Sequence, residues 1–138
     1  MAQVSLEVPA ALVAPLRESL VLLYHATAES LHLALRAHAE RGASLDGIHE
    51  HRARLAELDA MLDRVGWRTG PAPGELEIGG PADLLHDAVY GALIDAGERL
   101  AAALTSAWRG ERPVEDVRAT AREVIALDRL MGRVHRDG

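Results

Sequence analysis

The chain has 138 residues, a formal net charge of -6 and no cysteine, and its 15 basic residues are all arginine. That length suits one domain able to bury a core without disulfides or a structural metal. The acidic balance disfavours general binding to phosphate backbones or anionic membranes, and the lack of cysteine excludes disulfides, thiolate catalysis and Cys-type zinc sites. The opening MAQVSLEVPA lacks the basic-then-apolar pattern of a secretory signal. The longest strongly apolar run, residues 20–24, is far below the roughly 20 residues of a membrane span, so a soluble cytoplasmic protein is expected.

Val4, Leu6 and Val8 alternate with Gln3, Ser5 and Glu7, the period-two signature of a half-buried strand. Pro9 follows at a place where helices like to begin. A first helix is expected over residues 10–41, stopped by Gly42; Ser44 should cap a second, running to residue 65 and stopped by Gly66. The stretch GWRTGPAPGELEIGG then carries a second strand, with Leu76 and Ile78 alternating with Glu75 and Glu77. A third helix is expected over about 81–109, before Gly110, and a fourth from near Pro113 to about residue 134.

Sliding the chain along itself exposes an internal match at an offset of 69. LDGIHEHRARLAELDAMLDRV (45–65) lies over VEDVRATAREVIALDRLMGRV (114–134), so that Leu58, Asp59, Arg64 and Val65 meet Leu127, Asp128, Arg133 and Val134. AESLHLAL (28–35) lies over GERLAAAL (97–104), and after a slip of one, LEV (6–8) over LEI (76–78). The expected fold is therefore all-α with a minor two-stranded ribbon. It is a four-helix bundle of two tandem strand-helix-helix repeats related by a pseudo-twofold axis. Residues 1–138 form one domain, with repeat 1 over about 3–66, a linker at 67–74 and repeat 2 over about 75–135. The two strands should pair antiparallel and rest on the helices, because a lone two-stranded ribbon is marginal. Leu16 and Leu85 should point inward.

At 100° per residue, Leu12, Leu16, Leu20, Leu23, Thr27 and Ala34 cluster on one side of the first helix, and Glu18, His25, Glu29, His32 and Arg36 form a stripe opposite. The histidines therefore face away from the core. Val21, Leu22, Tyr24, Leu33 and Leu35 widen the apolar arc beyond what one buried face requires, which marks a second contact: a homodimer or a docked protein partner.

A sharper alternative makes His25, Glu29 and His32 part of a site for a divalent transition metal, since Glu-x-x-His on a bundle helix is one arm of a carboxylate di-iron constellation. A matching arm is missing: Asp83 and His86 have the spacing but lie near the start of the third helix, and the offset of 69 replaces His25 by Ile94 and His32 by Ala101. His51 falls in line with Ile48, Leu55, Leu58 and Leu62 and reads as a core histidine. His38 and His135 sit near helix C-termini, where an imidazolium suits the dipole. Asp59 and Asp128, and Arg64 and Arg133, occupy equivalent places suited to caps, interhelical hydrogen bonds or ion pairs.

Phosphate-cradling, nucleophile-elbow and His-Glu-x-x-His motifs are missing, as is lysine for Schiff-base chemistry. VSLEVPAALVAPLRESL resembles the opening of ribbon-helix-helix regulators, in which a strand, a proline and an amphipathic helix form a unit whose paired strands enter the DNA major groove. The resemblance covers about the first 25 residues and implies that Gln3, Ser5 and Glu7, with Glu75 and Glu77, face the groove. Three of those five are acidic, and LVLLYHATAES offers no glycine or proline for the tight turn that ends the family's first helix. The expectation is a small interaction or scaffolding module without catalytic activity or cofactor. It should be homo-oligomeric, with a metal-binding bundle as the alternative and DNA binding after that.

Overall fold

A computed structural model describes residues 3–67 and 74–137. The elements run β1 (Gln3–Val8), α1 (Ala10–Arg41), α2 (Asp46–Val65), β2 (Leu76–Pro81), α3 (Ala82–Trp108) and α4 (Val114–Asp137). Most of the expected linker, 68–73 within 67–74, lies outside the described residues.

Local chemistry accounts for the boundaries. Gly42 adopts a left-handed conformation (φ 66°), which ends α1 and lets the Gly42 and Ala43 amides reach back to the carbonyls of His38 and Ala37. Gly66, at φ 95°, ends α2. Ser44 is not the cap of α2: Leu45 holds that position without a side-chain cap hydrogen bond, and the Ser44 hydroxyl accepts from the Asp46 amide at 3.2 Å in the turn before it. Pro81, at φ -58° and ψ 136°, is both the last residue of β2 and the N-cap of α3, as Pro9 is the N-cap of α1. The fourth helix runs three residues past the expected 134.

β1 and β2 form a two-stranded antiparallel sheet in which Leu6 faces Ile78 and Glu7 faces Glu77. Val4, Leu6, Val8 and Ile78 point inward onto the helices and are buried. Gln3, Ser5, Glu7 and Glu77 point outward, with the Ser5 hydroxyl donating to the Glu77 carboxylate. Two carboxylates therefore stand opposite each other on the outer face, and α1 continues unbroken for 32 residues. Both features depart from the ribbon-helix-helix pattern.

The helices pack as a bundle, α1 on α2, α3 on α4 and α1 on α3, with α2 beside β2 and α4 beside β1. A single hydrophobic cluster draws on both strands and all four helices, and Leu16 and Leu85 lie fully inside it. Its members come from the ribbon end: Leu12 to Leu20 of α1, Leu58 to Val65 of α2, Leu84 to Ala96 of α3, and Leu127 to Val134 of α4. The shared interior thus occupies part of the bundle's length. Beyond Leu20, α1 contributes no buried residue.

Candidate interaction surface

His25, Glu29 and His32 are exposed, as are Glu18 and Arg36 on the same stripe of α1. Arg36 pairs with Glu40 at 3.1 Å, one turn further on. Among the described residues no group of three or more histidines and carboxylates is arranged to hold a metal ion, so the structure leaves the stripe facing solvent.

The apolar residues beside that stripe divide into two sets. Val21 and Tyr24 are half-buried and pack against the core, and Tyr24 meets Trp67 edge to face at 5.0 Å. Leu22, Leu33 and Leu35 stay exposed, Leu22 at 70%. Leu22 also lines a groove of about 310 Å³ between α1 and α3, together with Leu23, Ala26, Ala92 and the acids Glu18, Asp87 and Asp95. On α3, Tyr90, Ile94, Leu104 and Trp108 are exposed too.

Several polar contacts were not legible in the periodicity. Arg17 is buried on the core side of α1 and donates to the Val65 carbonyl at 3.1 Å, satisfying the last turn of α2. Ser19, also buried, donates to the Ala88 carbonyl at 2.6 Å where α1 crosses α3. That bond engages the hydroxyl with a backbone acceptor. Arg54 of α2 reaches Asp83 at 3.3 Å and Asp87 at 3.6 Å on α3. Arg99 joins Asp95 at 3.0 Å to Glu123 of α4 at 2.6 Å. Burial works against the Arg99 guanidinium, but the hydrogen bonds and charges of Asp95 and Glu123 outweigh it and raise its pKa, keeping the clasp charged.

Of the remaining histidines, His38 contacts the Ala43 carbonyl through Nδ1 at 2.7 Å, at the end of α1 as its position implied. His86 stacks on Tyr90 and on His135. His51 is a correction: it is half-buried between α1 and α2, in a shallow groove with Thr27, Ser30 and Arg54, and not in the core. On α2 the main cluster begins at Leu58, two turns further along; Ile48, in line with His51, is buried but stands outside that cluster, so His51 lies at its margin. Arg64 donates to the Glu77 carbonyl at 2.9 Å and Arg133 to the Glu7 carbonyl at 3.5 Å, helix-to-strand bonds in place of caps or ion pairs.

No helix among the described residues is long and apolar enough to cross a membrane. Comparison with protein-family models, with curated proteins and with solved structures found no match to this chain.

Proposed function

We propose that this chain is a non-enzymatic, cytoplasmic interaction module that self-associates, built as one domain from two copies of a strand-helix-helix unit. Three pairings support the duplication and its pseudo-twofold axis. The sheet register sets Glu7 opposite Glu77, the middle residues of the matching LEV and LEI. Arg64 bonds the strand of the other half through Glu77, and Arg133 reciprocates through Glu7. Ser19 bonds Ala88, its own counterpart at the offset of 69.

The observation that carries the functional reading is an inverted size pattern along the two long helices. Past Ala92, the buried residues of α3 are the alanines Ala96 and Ala103, whereas Ile94, Leu104 and Trp108 face out. Past Leu20, α1 buries nothing while exposing Leu22, Leu33 and Leu35. Large apolar side chains turned outward over two long helices are a liability in water that association removes. Sedimentation velocity and native mass spectrometry of the untagged protein over a concentration series test this. A concentration-dependent dimer or larger assembly is expected; a strict monomer up to the solubility limit overturns it.

A further inference from the structure

We propose that self-association runs through the outer face of α3, packed antiparallel against the same helix of a second copy. This deepens the self-association reading and rests on it. Tyr90, Ile94, Gly97, Ala101, Leu104 and Trp108 follow one another at steps of four, three, four, three and four, the spacing of a seam between two helices. At 100° per residue they form a stripe about 80° wide and roughly 27 Å long. The core-facing residues of α3, Leu85, Ala88, Ala92 and Ala96, belong to another side of the helix. All four large members of the seam are exposed, Trp108 at 93%.

The size order of the seam selects the occupant. Read from either end it runs aromatic, branched aliphatic, small, small, branched aliphatic, aromatic. An antiparallel copy, with its twofold axis between Gly97 and Ala101, sets Tyr90 against the mate's Trp108, Ile94 against Leu104 and Gly97 against Ala101. Large side chains then fill the two ends while the small pair lets the backbones close in at the middle. A seam for an unrelated partner has no need of this palindrome.

Gly97 adds an independent argument. Glycine in a helix interior costs stability relative to alanine, and a Cβ built on Gly97 meets nothing within 4 Å in its own chain. No contact within its own chain requires glycine there, and its small size suits a close neighbour from outside. Tyr90 is also held in place by stacking on His86 at 5.8 Å, which in turn stacks on His135, so one anchor is ordered before contact. The buried area suffices. With about 150–250 Å² per aromatic side chain and the half-exposed Ile94 and Leu104, two copies bury on the order of 1,000 Å², where specific interfaces begin.

Because the chain has no cysteine, introduced thiols report the register directly. Ile94→Cys and Leu104→Cys replace exposed side chains. Under mild oxidation each variant alone stays unlinked, and a disulfide-joined dimer forms only when the two are mixed and allowed to exchange. Linking of each variant with itself indicates parallel pairing and overturns the register. A dimer that persists in the ultracentrifuge without linking in any arm overturns this inference and leaves self-association standing; monomers throughout overturn both. Gly97→Leu supplies a second readout. Its thermal stability as a monomer is kept or raised, while dimer affinity falls roughly tenfold or more as the helices are forced apart. Unchanged affinity overturns the close approach at Gly97.

Discussion

The crossing of α1 and α3 offers a sharp test of the packing, because one substitution there changes sign with its neighbour. A Cβ added at Gly91 lies 2.7 Å from Ser19 Oγ, and the rest of Ser19 stays at 3.9 Å. Gly91→Ala gains about 1 kcal/mol of helix propensity. The Ser19 hydroxyl must then rotate away and abandon the Ala88 carbonyl, losing about 1–2 kcal/mol for a buried hydrogen bond. The net effect in the parent chain is between neutral and about 1 kcal/mol destabilising. Ser19→Ala removes the obstacle along with the bond. In that background Gly91→Ala stabilises by about 1 kcal/mol, giving a coupling of about 1–2 kcal/mol between the sites. Urea unfolding of all four chains, at a concentration below self-association, measures the cycle. Equal stabilisation by Gly91→Ala in both backgrounds refutes the crossing contact.

Leu16→Ala, at the fully buried centre of the shared cluster, is expected to cost about 2–5 kcal/mol in the same assay, whereas Leu33→Ala on the exposed arm of α1 costs less than about 0.5 kcal/mol in the monomer. Similar losses at both positions would mean that the interior extends along the whole of α1. Gly42→Ala forces a side chain into the left-handed region and lowers stability by about 1 kcal/mol; a neutral result in the melting curve would contradict the turn that ends α1. Native mass spectra recorded with Ni²⁺ or Zn²⁺ are expected to show no stoichiometric adduct that His32→Ala removes. Such an adduct would restore the alternative in which His25, Glu29 and His32 bind metal. Electrophoresis with duplex DNA is expected to show no salt-sensitive shift, since Glu7 and Glu77 stand together on the outer face of the ribbon and their charge repels the phosphate backbone.

The sequence by itself determined the elements and their inward faces. Glycine at 42 and 66, proline at 9 and alternation at 3–8 act over a few residues, so their consequences are local and the boundaries they set for β1, α1 and α2 fall within a residue or two of expectation. Periodicity likewise fixed the direction of Leu12, Leu16 and Leu20 toward the core and of the histidine stripe toward water. A periodic pattern reports which way a side chain points, but not whether another element stands there to receive it. Only the tertiary structure decided that the main cluster stops near Leu20 of α1 and Leu58 of α2, which leaves His51 at its margin and Leu22, Leu33, Ile94, Leu104 and Trp108 exposed on the two long helices. Contacts such as Arg17 with Val65 and Ser19 with Ala88 join residues dozens of positions apart. They depend on how two helices cross, a geometry set by the summed packing of both surfaces and carried by no short stretch of either.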